Sequence, residues 1–167
     1  MIVLGIDPGY AIVGYGVVNY DRGRFSTIAY GAITTEAHTP FEDRLLDMCA
    51  LWDRYQPAAL SIEQLFFTNN KTTGIAVAEA RGVILLAARM KHVPVYEYTP
   101  MQVKQSVVGY GKAVKAQVME MTRSILGLEK IPKPDDAADA LALAVCHAHA
   151  AGSILSSSRL KERLELL

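Results

Sequence analysis

The sequence predicts an α/β fold: a mixed five-stranded sheet, three antiparallel strands followed by a βαβαβ-type parallel part, flanked by helices. Three observations predict it. Five β-rich apolar runs occur, at residues 2–7, 13–20, 25–35, 58–63 and 93–98. The connections between the first three are short, which suits an antiparallel meander. Long stretches of helical periodicity precede the fourth and fifth, which suits parallel crossovers.

Each element follows from its residues. Residues 2–7 are apolar until Asp7 and stop at Pro8-Gly9, a buried strand and then a turn. The run 13–20 is closed by the turn Asp21-Arg22-Gly23-Arg24, and 25–35 is rich in Ile, Thr and Tyr. Thr39-Pro40 opens a helical pattern through Leu45, Leu46, Met48, Leu51 and Trp52, with Pro40 suited to the first turn. A short strand, 58–63, precedes a long helix, 71–90. There Gly74, Ala78 and Gly82, spaced by four, form a small-residue ridge that lets another backbone come close, either the sheet of the same subunit or a partner subunit. After the strand 93–98, residues 100–108 read as helix, Gly109-Tyr110-Gly111 interrupts, and 113–126 is helical again. Pro132-Lys133-Pro134 breaks the chain before a last helix, 136–150, with Asp135 as its N-cap. Ser156-Ser157-Ser158 reads as a linker. The expected organisation is one domain over 1–152 and a C-terminal tail, 153–167, weakly helical or disordered.

A chain of 167 residues fits one domain with a sizeable core. With 51% hydrophobic and 20% charged residues it is not of the disordered class. Aliphatic runs such as 82–88 are too short to span a bilayer. The start, Met1-Ile2-Val3-Leu4-Gly5, lacks a basic n-region and a cleavage site, so no signal peptide and a cytoplasmic location are expected. Cys49 and Cys146 lie far apart without metal-ligand spacing and are expected as buried thiols in a reducing cytosol. Net charge is zero, but it is unevenly spread: 8 acids and 4 bases over 1–63, 3 acids and 8 bases over 64–123, 6 acids and 5 bases over 124–167. A basic middle between acidic flanks is what a phosphate-binding face opposite a carboxylate cluster gives, or an uneven solvated surface.

The acids of interest are Asp7 and Glu63, each at the end of an apolar strand, and Asp136 and Asp139, at i and i+3 on one face of the last helix. If the two strands are neighbours, their acids project from the same end of the sheet, and the helix can lay two aspartates beside them. Four clustered carboxylates repel one another unless cations intervene. All-oxygen donors suit two Mg²⁺ ions, with Mn²⁺ as a substitute, and no Cys or His set suggests zinc. Two such ions about 3.5–4 Å apart can serve phosphodiester hydrolysis. Singly, Asp7 also reads as a turn residue before Pro8-Gly9, Glu63 as an exposed strand end, and Asp136 as a helix-dipole match. No spacing rule makes the four meet.

Gly5-Ile6-Asp7-Pro8-Gly9, Ile62-Glu63-Gln64, Glu79-Ala80-Arg81-Gly82, Val103-Lys104-Gln105 and Asp136-Ala137-Ala138-Asp139-Ala140-Leu141-Ala142 stand in order and at the separations of one known family. The chain resembles RuvC-type Holliday junction resolvases from residue 1 to about residue 150. The resemblance implies a ribonuclease-H-like fold, a homodimer and paired symmetric incisions across a four-way DNA junction in recombination and repair. It carries catalysis and metal binding onto Asp7, Glu63, Asp136 and Asp139. It places Lys104 and Lys115 near the active site as phosphate contacts, and Phe66 where the family has an aromatic that stacks on junction bases. Phe67 has no assigned role. A branch-migration motor of the RuvA–RuvB type is the implied partner.

Other readings stand beside this one. Lys104, Lys112, Lys115 and Arg123, with Tyr110 among them, read as a DNA-binding arm or as an ordinary solvated helix pair, and Gly109 and Gly111 favour a flexible loop that orders on substrate. His147 and His149 are two apart, on different helix faces, and read as structural or surface residues. Competing functions are a nuclease acting on RNA or other branched DNA and a junction-binding protein without cleavage. An actin-like phosphotransferase is disfavoured, because the chain is short for two lobes and shows no second phosphate loop.

Overall fold

The computed structural model describes the backbone of residues 1–36, 41–65 and 74–165, and side chains over 1–36, 43–65 and 74–153. Five strands form one sheet, β1 (Ile2–Asp7), β2 (Ile12–Asp21), β3 (Arg24–Thr34), β4 (Ala59–Glu63) and β5 (Val95–Tyr98), in the order β3-β2-β1-β4-β5. The β3-β2-β1 half is antiparallel and the β1-β4-β5 half parallel. Arg22 and Gly23, with φ of 47° and 85°, close the β2–β3 hairpin, the left-handed pair that a two-residue turn between twisted strands requires.

Helices cover both faces. On one side α1 (Phe41–Tyr55) and α2 (Gly74–Met90) pack on each other and on the sheet. Met48, Leu51, Trp52, Ile84, Ala87 and Ala88 meet Leu4, Ile6, Leu60 and Ile62 there. On the other side lie α3 (Pro100–Val108), α4 (Lys115–Ile125) and α5 (Asp135–Glu165). Strand β1 is buried on both faces, hence its unbroken apolar run: Leu4 and Ile6 point to α1 and α2, Val3 and Gly5 to α5. The expected opening of α1 at Thr39-Pro40 and the first three residues of the 71–90 helix lie outside the described residues.

What sets the depth of α5 is an absence of side chains beneath it. A Cβ on Gly5 would fall 1.9 Å from the Ala140 carbonyl oxygen, and one on Gly14 2.1 Å from that of Asp136. One on Gly16 would fall 2.7 Å from Leu141 Cγ. Gly5 pairs with Gly16 across β1 and β2, so the three positions form one bare patch. The helix answers with Ala137, Ala140, Ala144 and Ala148, all fully buried. Ser61 Oγ, buried on β4, donates to the Leu143 carbonyl at 2.7 Å and fixes the helix laterally.

Two expectations change. Helix α5 continues to Glu165, through Ser156–Ser158, where a linker was expected. Serine costs a helix little, so a polar triplet does not end one. Asp135 lies inside the first turn of α5 rather than capping it, and its carboxylate accepts from Lys133 Nζ at 2.7 Å. On α2 the buried residues are Ala80, Ile84, Ala87 and Ala88, and a Cβ on Gly82 would meet nothing within 4 Å, which leaves that end of the small-residue ridge facing outward.

The seat predicts a contrast. Gly5→Ala must lift α5 and is expected to cost about 3 kcal/mol, the upper range of overpacking. Ser61→Ala removes one hydrogen bond and should cost about 1 kcal/mol. Urea denaturation of both variants checks the order, and equal small losses would mean that the helix is not held by the glycines.

Candidate active site

Strands β1 and β4 run parallel with Gly5 opposite Ser61 and Ile6 opposite Ile62. One residue further on each strand come Asp7 and Glu63. The two-residue period puts both on the face of Gly5 and Ser61, the face covered by α5. This is the carboxyl end of neighbouring parallel strands, where open α/β sheets hold their ligands. Asp7 pairs across β2 with Gly14, whose bare Cα lies against the backbone of Asp136. Asp139 follows on the same helix face, and all four acids are half-buried.

Their proximity shows in their proton affinities. Burial, then the charges of Asp139, Glu63 and Asp136, push Asp7 from the ordinary 3.8 up to about 7, against the opposing pull of Lys115. Burial and Asp139 likewise raise Glu63. Lys115 Nζ donates to Asp139 Oδ2 at 2.8 Å and lies 3.8 Å from Asp135 Oδ2. That hydrogen bond raises Lys115 above the usual lysine range. Among the described residues no three His, Cys, Asp or Glu side chains are drawn close enough as placed to grip a metal ion. The ammonium of Lys115 takes one of the four acids instead. The donor set is all oxygen and its like charges crowd one another, a chemistry that fits a hard divalent cation.

Glu63 stands between two openings. A cavity of about 340 Å³ is lined by Asp7, Pro8, Glu63, Gln64 and Pro100, and one of about 270 Å³ by Glu63, Pro100, Lys104, Lys115 and Asp139. Two bases of the basic middle, Lys104 and Lys115, therefore share a cleft with Glu63 and Asp139. Phe66 and Phe67 lie outside the described residues. His147 is buried, its Nδ1 2.8 Å from Tyr98 Oη and its ring stacked on Tyr96 at 4.1 Å. His149 instead meets Ser106 Oγ at 3.2 Å, so the two histidines share no site. Cys49 and Cys146 are free thiols, half-buried and buried. Sequence reasoning missed Pro100, which lines both openings, and the Gly5, Gly14 and Gly16 seat. For the seat a signal existed: glycines at alternate positions inside a strand mark a close backbone approach.

The acid cluster gives the metal-free protein a pH dependence of definite sign. The folded state raises Asp7 to about 7, so between pH ~4 and ~7 it binds more protons than the unfolded chain, and stability falls as pH rises through that window. The difference corresponds to about 4 kcal/mol at most. In EDTA, denaturation midpoints of the parent should drop between pH 5 and 8, and those of Asp7→Asn should drop less. Parallel profiles would remove Asp7 from the crowded cluster.

A family model for crossover junction endodeoxyribonuclease RuvC matches residues 3–147. The crossover junction endodeoxyribonuclease RuvC of Ruminiclostridium cellulolyticum is 53% identical over 165 residues, 95% of this chain and 99% of that one. The structure of Thermus thermophilus RuvC in complex with Holliday junction substrate superposes with a TM-score of 0.82 at 34% identity, over 92% of this chain and 96% of that one. The yeast mitochondrial Holliday junction resolvase Ydc2, at 13% identity and a TM-score of 0.69 over 97% of this chain and 85% of that one, shares the fold. With the ribonuclease-H-like sheet, the four acids and this extent of similarity in hand, the chain belongs to the RuvC family of crossover junction endodeoxyribonucleases.

Proposed function

We propose that the chain resolves four-way DNA junctions by paired, symmetric strand incisions in recombination and repair, acting as a homodimer in the cytoplasm. The observation that carries the reading is the convergence of Asp7, Glu63, Asp136 and Asp139 at the parallel strand ends, with Glu63 and Asp139 on a cleft shared with Lys104 and Lys115. In this reading the four acids are the catalytic metal ligands, for two Mg²⁺ ions with Mn²⁺ as a substitute. Bound there, the ions supply water activation and stabilisation of the leaving oxygen. Lys104 and Lys115 hold phosphates beside the acids, for which Lys115 would have to release Asp139. Phe66 stacks on bases at the junction centre.

Residues 1–152 are the nuclease domain and 153–167 the C-terminal tail. A four-way junction offers two equivalent strands, which a twofold dimer can meet with one site each. The outward ridge of α2, with Ile75 and Leu86 exposed beside Gly82, suits that contact. A branch-migration motor of the RuvA–RuvB type is the expected partner.

Two sets of variants test the reading. Asp7→Asn keeps the side-chain shape and removes a charge. It should bind a synthetic four-way junction like the parent and cut it about 100-fold more slowly or worse in Mg²⁺, the scale of losing one electrostatic contact at the reacting group. Near-parental cutting by Asp7→Asn would refute the metal assignment. Lys104→Ala and Lys115→Ala should each reduce the slope of log binding constant against log salt by about 1. Lys115→Ala should also lower turnover more than affinity, and parental slopes and turnover in both would make these lysines mere surface charges.

A further inference from the structure

The connection between α3 and α4 is bounded by caps and hydrogen bonds. Thr99 and Gln102 close a capping box at the start of α3, and Gly109, at φ 93°, ends that helix in the left-handed conformation. Gln105 Nε2 donates to the Gly109 carbonyl at 2.9 Å. Gly111 packs under Met101, whose side chain would have to shift for a Cβ there, which would fall 2.7 Å from Met101 Cγ. Ala113 is buried, and Val114 N donates to Gln117 Oε1 at 2.9 Å as α4 begins. Gly109 and Gly111 thus sit in a turn with hydrogen bonds at both ends.

This turn presents apolar surface to water. Met101 is 66% exposed, Val114 61% and Tyr110 45%. The cations beside it are Lys104, Lys112 and Lys115. Among the described residues neither Lys104 nor Lys112 has an ion-pair partner, and the nearby acid Glu120 is taken up by Arg123. Val114 directly precedes Lys115, and Met101 lies one turn before Lys104, both of which line the 270 Å³ cavity with Glu63 and Asp139. The patch is continuous with the mouth of the active site.

Exposed aromatic and aliphatic faces among unpaired lysines fit one chemistry best: a nucleic-acid strand, with its phosphates on the lysines and a base or sugar face on the ring. We infer that Tyr110, backed by Met101 and Val114, is a stacking platform for the DNA strand that runs past the acids, with Lys112 on its phosphate. This rests on the proposed nuclease function and adds a contact on the α3–α4 turn to it.

Binding of a fluorescent four-way junction by the full chain, without metal and across a salt series, tests the inference. Tyr110→Ala should bind about tenfold more weakly, the lower range for losing one stacked base, with its salt slope unchanged. Tyr110→Phe should bind like the parent. Lys112→Ala should lower the slope by about 1. A 2-aminopurine beside the cut position should lose its binding-induced fluorescence change in Tyr110→Ala alone. Tyr110→Ala binding within about twofold of the parent would overturn the inference and assign the patch to a protein contact. So would a Tyr110→Phe variant as weak as the alanine, because a phenyl ring keeps the stack. If the parent neither binds nor cuts the junction, the function reading falls. If the parent does both and Tyr110→Ala matches it, only the platform falls.

Discussion

The backbone contact between α5 and the glycines of β1 and β2 is the constraint on which the rest depends. At Gly5 and Gly14 a single methyl group would overlap the carbonyl oxygens of Ala140 and Asp136. Bringing a helix so near a sheet requires bare positions beneath and small side chains above, hence the buried alanines of α5. The same contact carries two aspartates to two strand ends. Gly14 is at once the partner of Asp7 in the sheet and the seat of Asp136, so one position serves both packing and chemistry.

That geometry has an electrostatic cost. Folding drives four half-buried acids together, and the metal-free protein offsets the repulsion with one lysine, from Lys115 to Asp139, and with a proton that Asp7 holds to about 7. A cluster tolerated only through neutralisation is the state that a divalent cation relieves. Lys115 serves as the counter-ion to Asp139. The fold stores an acid cluster that the glycine seat forces and the helical core holds.

Much of this was legible in the sequence. Strand endings at Asp7 and Glu63, the meander, the helical crossovers and the helix over 100–108 all follow from period and turns. The motifs identified the family and named the acids. What was not legible depends on approach in three dimensions. The i, i+3 spacing of Asp136 and Asp139 puts them on one face, but no spacing says that Gly14 lies under that face. The Lys115–Asp139 pair joins residues 24 apart through the packing of α4 on α5. Gly109 is the left-handed stop of α3 and Gly111 lies against Met101, roles that composition alone does not reveal. Ser156–Ser158 looks like a break because polar triplets often occur in linkers, but local composition alone does not end a helix.

The central claim is that a glycine-seated helix assembles one cation site from four acids. Anomalous scattering from crystals soaked in Mn²⁺ tests it most directly. The account predicts strong peaks bounded by Asp7, Glu63, Asp136 and Asp139, with Lys115 Nζ withdrawn from Asp139. Strong peaks elsewhere, or an empty cluster in a protein that still cuts junctions with Mn²⁺, would contradict it.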